Sequence, residues 1–363
     1  MKIRTLVLDN VKSFLNFEQS FEDPWSGKVP EALLLLGPNG SGKSTMLDTI
    51  AALWQGLAQA LRHDDSVASA RAARDLALSP GLAAIEIVEL DLQPVWLYAY
   101  ARPDASLAFV RKHPDSHRIG LFAPSGLGNR PPQLHYAPPG QGNAERVPPQ
   151  GEFDGWLGRL TQRITENTLG KGRDMPNVVY LESESRRLMP IKERFSVQQE
   201  AEEFRWLARY EPTTSRRGSV QNYLYNLKVV DEQTYNEIVR EVNAFLSGKR
   251  LEGFDRATGQ LLVVPVHGET HPVEDLSSGE KQVLLMLATI TRWLRKGGIV
   301  LIDEPDLHLH VSLATAFVSH VRQLVAQNDG QLIIASHVPE IWSQFTESHQ
   351  VRLGTAGVQK RLL

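Results

Sequence analysis

The apolar run Ala32-Leu33-Leu34-Leu35-Leu36 ends directly in Gly37-Pro38-Asn39-Gly40-Ser41-Gly42-Lys43-Ser44-Thr45. Leu47, Ile50, Trp54, Leu57 and Leu61 then recur at helical spacing, with no proline among them, which predicts a helix over Ser44 to Arg62. This succession of buried strand, glycine loop and amphipathic helix constrains the chain more than any other feature. A strand that is apolar at every position must be covered on both faces, so the unit belongs to an α/β fold built on a central, mostly parallel sheet.

The loop fits G-x-x-x-x-G-K-[ST] at every fixed position. Gly37, Gly40 and Gly42 let successive N–H groups, with those of Asn39 and Ser41, turn toward a phosphate chain, and the helix N-terminus adds the positive end of its dipole. Lys43 would neutralise the β and γ phosphates of ATP, the Ser44 hydroxyl would coordinate Mg²⁺, and Thr45 would assist at the α phosphate. A glycine turn that merely starts a helix has no need of Lys-Ser after its last glycine.

A second run, Ile299-Val300-Leu301-Ile302, ends in Asp303-Glu304-Pro305, which suits a core strand delivering two carboxylates to its C-terminal edge. There Asp303 would hold the Mg²⁺ shell and Glu304 would polarise the attacking water as general base. Leu276-Ser277-Ser278-Gly279-Glu280 heads the next predicted helix, Glu280 to Lys296, where Ser277 is an N-cap and the Ser278 and Gly279 amides point outward. His337 follows the last inner strand in Leu332-Ile333-Ile334-Ala335-Ser336-His337, and of the 11 histidines it alone is so placed.

The chain divides into an N-terminal lobe over residues 1–122, a Pro/Gly-rich loop over 123–151, a helical insert over 152–255 and a C-terminal lobe over 256–363. Ala83 to Leu92, Val95 to Ala101 and Leu107 to Arg111 carry Val, Ile, Tyr and Trp, which predicts an antiparallel β side sheet. Proline density between Ala123 and Gly151 argues against any helix or inner strand there. From Ile191 to Arg250 charged residues mix with Trp206, Leu207, Tyr223, Leu227, Ile238, Val242 and Phe245, which reads as a helical subdomain.

The 42% hydrophobic content suits a globular core, and a net charge of -3 neither announces nor excludes nucleic acid. With no cysteine the chain has no disulfide, thiolate zinc site or catalytic thiol. The start MKIRTLVLDNVKSF lacks a signal-peptide apolar core, and no run approaches the roughly 20 apolar residues of a membrane span, so a cytoplasmic address is expected.

Taken together, GPNGSGKST, LSSGE, LIDEP and IIASH stand in the order found in ABC-type ATPases, which the chain resembles. The opening IRTLVLDNVKSF and the ending IDEPDLHLH are more similar to the RecF, SMC and OLD branch than to transporters. The resemblance implies a P-loop NTPase fold of ABC-ATPase type and MgATP hydrolysis. It further implies a head-to-tail dimer in which Ser277, Ser278, Gly279 and Glu280 of one copy meet the γ phosphate held by the other, with His337 as the phosphate-sensing switch. It suggests a switch acting on a separately encoded effector, in prokaryotic defence or DNA repair. There are departures. Glu182-Ser183-Glu184-Ser185 stands where a Q-loop glutamine belongs, and His310 stands at the D-loop aspartate, beside His308. Neither coiled-coil arms nor, after His337, a Toprim domain is expected. Two alternatives stay open: a RecF-like DNA-binding ATPase using Arg186, Arg187, Lys192, Arg194, Arg216 and Arg217, and a transporter's nucleotide-binding subunit.

Overall fold

The computed structural model describes residues 1–62, 81–90, 93–123, 132–147, 155–168, 175–190, 197, 205–215, 218–255 and 260–354. In chain order the first lobe contains β1 (Lys2–Val11), β2 (Phe14–Ser20), β3 (Ala32–Leu36), α1 (Lys43–Arg62), β4 (Leu82–Val88), β5 (Val95–Tyr100), α2 (Pro103–Lys112), β6 (His117–Phe122), β7 (Gln133–Ala137) and β8 (Glu145–Arg146). There follow α3 (Gly155–Thr168), β9 (Val178–Leu181), β10 (Leu207–Arg209), α4 (Val220–Val230), α5 (Glu232–Asn243), β11 (Lys249–Phe254), β12 (Leu261–Pro265) and β13 (His271–Pro272). The chain continues through α6 (Ser278–Trp293), β14 (Ile299–Asp303), α7 (Val311–Gln327), β15 (Gln331–Ala335), α8 (Pro339–Trp342) and β16 (Gln350–Arg352).

The central sheet has six strands in the order β10-β9-β14-β15-β3-β16, and every neighbouring pair is parallel. Its strands are buried on both faces, as their unbroken apolar runs require. Leu33, Leu35, Val178, Tyr180, Ile299 and Leu301 face α1 and the side sheet, while Leu34, Leu36, Val179, Leu181, Val300 and Ile302 face the helices α6 and α7. The period-two alternation thus divides each strand between two cores.

The side sheet runs β2-β1-β4-β5-β6-β7-β8. It is antiparallel except at β5 and β6, which pair in parallel. The expected strand over Leu107 to Arg111 is instead the helix α2, which makes that crossover. Pro103 opens it where a missing N–H costs nothing, and Ser106, Phe109 and Val110 are buried at i, i+3, i+4 spacing. The Pro/Gly-rich segment also departs from expectation: Gln133–Ala137 is an inner strand, paired to β6 and β8, because the prolines flank Gln133-Leu134-His135-Tyr136-Ala137 without entering it. Residues 124–131 and 148–151 of that segment lie outside the described residues.

The insert over 152–255 is not a separate helical body. It supplies β9 and β10 to the central sheet, and Leu207, expected in a helix, lies in β10. One contact explains the docking of this segment. Trp54 of α1 and Trp206 beside β10 stack at 4.1 Å with an interplanar angle of 2°. Each indole donates to the other residue's backbone carbonyl, Trp54 Nε1 to Trp206 O at 3.1 Å and Trp206 Nε1 to Trp54 O at 2.6 Å. Both rings are buried, so both N–H groups need these partners.

Trp206→Ala is expected to destabilise the fold by about 3–5 kcal/mol, the usual cost of removing a buried indole. Trp54→Phe keeps the stacking but loses one donor, at about 1 kcal/mol. Urea unfolding followed by circular dichroism checks both; a loss under about 1 kcal/mol for Trp206→Ala would show that the stacked pair does not hold β10 in place.

Candidate functional site

Parallel strands end at the same edge, and the strands that carry the motifs are neighbours. Asp303 at the end of β14 pairs with Ala335 of β15, and Ala335 pairs with Leu35 of β3. The glycine loop after β3, the acids after β14 and Ser336-His337 after β15 are therefore brought side by side, in the crevice outside the strand ends.

In the glycine loop, Lys43 is buried and its ammonium donates to Gly37 O at 2.8 Å and Pro38 O at 3.0 Å, so the side chain folds back over the loop. Ser41 Oγ is buried without a hydrogen-bond partner. Ser44 and the Pro38-Asn39-Gly40 turn are exposed, and Thr45 is half-buried. Close packing explains two of the glycines. A Cβ on Gly37 would lie 2.3 Å from Leu353 O, and one on Gly42, whose φ is +97°, would lie 2.4 Å from the Phe14 ring. The hairpin of β1 and β2 and the segment after β16 thus shape the loop from outside it.

Asp303 is 5% exposed. The Ser183 hydroxyl, from the loop after β9, donates to Oδ2 at 3.2 Å, while Oδ1 is buried with no partner of hydrogen-bonding geometry. Burial raises the Asp303 pKa above the carboxylate norm; the Ser44 hydroxyl opposes this, neighbouring Glu304 adds to it, and Ser183 and Arg186 oppose it. A buried carboxylate oxygen without a partner, beside a serine hydroxyl from the glycine loop, is a donor set that fits a hard cation. Mg²⁺ would be held by Ser44 and Asp303.

Glu304 has φ +48°, the left-handed region that a side chain disfavours. Its N–H donates to Ala335 O at 2.8 Å, which continues the pairing of β14 with β15 past the acid pair. The carboxylate is partly exposed, and His337 Nδ1 stands 3.9 Å from its Oε1. Ser336 Oγ donates to Asp306 Oδ1 at 2.7 Å, tying the histidine segment to the turn after Glu304.

Ser277, Ser278, Gly279 and Glu280 are organised differently. Their observed partners lie away from the glycine loop: Ser277 and Glu280 form a reciprocal capping box, Lys249 Nζ donates to Glu280 Oε2 at 2.9 Å, and a Cβ on Gly279 would lie 2.9 Å from His308 O. Burial alone would raise the Glu280 pKa, but Lys249 and the Ser277 N–H and hydroxyl together hold it below the ordinary value. Ser277 and Ser278 are exposed, which leaves this helix N-terminus presented outward. His310 caps α7, with Nδ1 at 2.9 Å from Ser312 Oγ.

Two residues of this neighbourhood were not picked out by motif. Ser183 replaces the expected glutamine beside Asp303, and Arg186 is buried beneath the acid pair. Arg186 therefore cannot belong to a basic surface; of the suggested cluster Arg187 is exposed, while Lys192, Arg194, Arg216 and Arg217 lie outside the described residues. An arginine beside Arg187 and behind two glutamates gives no single-sequence signal of burial.

The raised Asp303 pKa has a stability consequence. A folded pKa above the unfolded one means that stability is fully present below the unfolded pKa and is lost as pH rises through the folded pKa, so at neutral pH the ionised group destabilises the metal-free fold. Asp303→Asn is expected to raise the melting temperature of the metal- and nucleotide-free protein at pH 7.5, with the gain shrinking as pH is lowered into the carboxylate range. Scanning calorimetry across pH checks this, and a lower melting temperature for the variant at pH 7.5 would contradict it.

The family described as AAA domain, putative AbiEii toxin, Type IV TA system matches residues 179–343. An uncharacterized ABC transporter ATP-binding protein of Methanocaldococcus jannaschii is 32% identical over 142 residues, 35% of this chain and 25% of that protein. Protein ea59 of Escherichia phage lambda is 33% identical over 73 residues, 20% of this chain and 14% of that protein. The chain thus spans a quarter or less of the length of these relatives. Among solved structures, an SMC head bound to the C-winged helix domain of ScpA aligns with TM-score 0.50 and 15% identity, covering 94% of this chain and 92% of that one. In its fold and in the order of its motifs, the chain is similar to the P-loop ATPases of ABC and SMC-head type.

Proposed function

We propose that the chain binds MgATP in the glycine loop, hydrolyses it with Glu304 as general base, and completes its site with the Ser277–Gly279 helix N-terminus of a second copy. The observation that carries this reading is the in-register convergence of the glycine loop, Asp303-Glu304 and His337 at one edge of the central sheet. The N–H groups from Asn39 to Thr45 receive the phosphates, and Lys43 exchanges its two carbonyl partners for phosphate oxygens. Ser44 and Asp303 would hold Mg²⁺, which would supply charge neutralisation for the phosphate chain. Glu304 accepts the proton of the attacking water, and His337, 3.9 Å away, is placed to register the γ phosphate.

The outward-facing capping box of α6 suits a phosphate on another molecule, since Ser277 and Ser278 are exposed at the positive end of the helix dipole. ATP then supplies part of the dimer interface and its hydrolysis withdraws it, which is the energetic basis of a switch on a separate effector, in defence or in repair. The burial of Arg186 weakens the DNA-binding alternative. A transporter subunit is the remaining alternative; none of the described helices is long and apolar enough to cross a membrane, so the reading would need a separate permease.

Lys43→Ala is expected to abolish MgATP binding, and Glu304→Gln to keep binding while lowering turnover about 10²–10⁴-fold, the usual worth of a positioned general base. With MgATP, Glu304→Gln should elute as a dimer in light-scattering chromatography and Glu304→Gln/Ser277→Arg as a monomer. Wild-type hydrolysis by both Lys43→Ala and Glu304→Gln would overturn the site assignment.

A further inference from the structure

Arg186 spends its guanidinium on backbone carbonyls. It is 1% exposed; Nη1 donates to Asp303 O at 2.6 Å and Leu181 O at 3.3 Å, Nη2 donates to Glu304 O at 2.7 Å, and Nε donates to Gln282 Oε1 at 3.0 Å. Gln282, buried on α6, returns its amide N–H to Arg186 O. One side chain therefore bonds the strand β9, the two successive carbonyls of the acid pair, and the helix whose N-terminus is Ser277–Gly279.

We infer that Arg186 is a positioning residue that holds Glu304 in its left-handed backbone conformation and couples it, through Gln282, to α6, the helix headed by Ser277–Gly279 of the same chain. The inference rests on the proposed hydrolytic site. A residue with a Cβ keeps φ +48° only where its surroundings over-determine it, and fixing the carbonyls on both sides of Glu304 does this. The planar fork of an arginine can reach two adjacent carbonyls and a side-chain amide at once, which a lysine ammonium cannot do with the same geometry. Gln282 lies about one helical turn beyond Gly279, so a movement of α6 when its N-terminus engages a phosphate is passed to the peptide that aims the general base. Hydrolysis in one site is thereby made to depend on the engagement of the same subunit's Ser277–Gly279 helix N-terminus with the other site.

The test compares Arg186→Ala, Arg186→Lys, Gln282→Ala and the double variant Arg186→Ala/Gln282→Ala with wild type. Steady-state ATP turnover, the Kd of a fluorescent ATP analogue with Mg²⁺ and the thermal melt are measured on each, with Lys43→Ala and Glu304→Gln as controls. Displacing a catalytic group by about 1 Å costs on the order of 10²-fold, so Arg186→Ala and Arg186→Lys should lose about a hundredfold in kcat and Gln282→Ala about tenfold, each with Kd within about threefold of wild type. The double variant should be no slower than Arg186→Ala, because the two side chains act as one unit. Wild-type kcat in Gln282→Ala, additive losses in the double variant, or a Kd that weakens in step with kcat would overturn the inference. Should Arg186→Ala not fold, Gln282→Ala, which keeps the arginine, decides by its kcat and Kd alone. If the two controls lose hydrolysis while the Arg186 and Gln282 variants keep it, only the coupling fails; if the controls hydrolyse like wild type, the site reading fails first and takes the coupling with it.

Discussion

Everything at the site depends on the parallel register of β14, β15 and β3. Asp303 opposite Ala335, and Ala335 opposite Leu35, place three loops at one height on one edge. Because side chains alternate with a period of two, a slip of one residue in β14 would exchange the faces of Asp303 and Glu304 and reverse the two apolar sets of the strand. The register is protected against that slip by burial on both sides: Ile299 and Leu301 belong to one core, Val300 and Ile302 to the other. The chemistry is thus positioned by packing well before any polar contact is made.

The polar contacts then refine what packing has placed, and they carry a cost. Asp303 is left with an unpartnered oxygen in a buried setting, and Glu304 with a disfavoured backbone angle. Neither feature stabilises the isolated chain. Both make sense where a cation and a phosphate complete the site, since binding recovers the free energy that the empty fold forgoes. The compensation sits in apolar elements away from the crevice, among them the reciprocal Trp54 and Trp206 pair that anchors the P-loop helix to the sheet.

The sequence was most informative where function is local. The glycine loop, the acid pair and the capping box are contiguous, and each demands its neighbours: glycine for backbone access, an apolar strand before it, an amphipathic helix after it. Strand β3 and the helix α1 follow almost residue by residue. What was illegible depends on distant partners. Leu107-Ala108-Phe109-Val110-Arg111 looks like a strand until Pro103 is recognised as a helix start, and Gln133 to Ala137 is hidden by the prolines around it. Arg186 is the plainest case, since its acceptors belong to β14 and α6, far along the chain, and its own neighbours Glu184, Ser185 and Arg187 suggest only a solvated turn.

That contrast bears on how such a site can be tuned. The residues that touch a phosphate are constrained by phosphate chemistry, whereas the groups that aim them are constrained only by the fold. Here the loop after β9 contributes no glutamine, yet it reaches Asp303 twice, through the Ser183 hydroxyl to the side chain and through Arg186 to the carbonyl. A guanidinium bonded to carbonyls, with burial lowering its pKa to about 10 and Asp303, Asp306 and Glu304 opposing that loss, still remains charged at neutral pH. It therefore places a fixed positive charge behind Asp303, which opposes the rise that burial causes in the pKa of that carboxylate. Lys249 pairs with Glu280 of α6, so this helix carries two cation contacts, at Glu280 and at Gln282, two residues apart near its N-terminus.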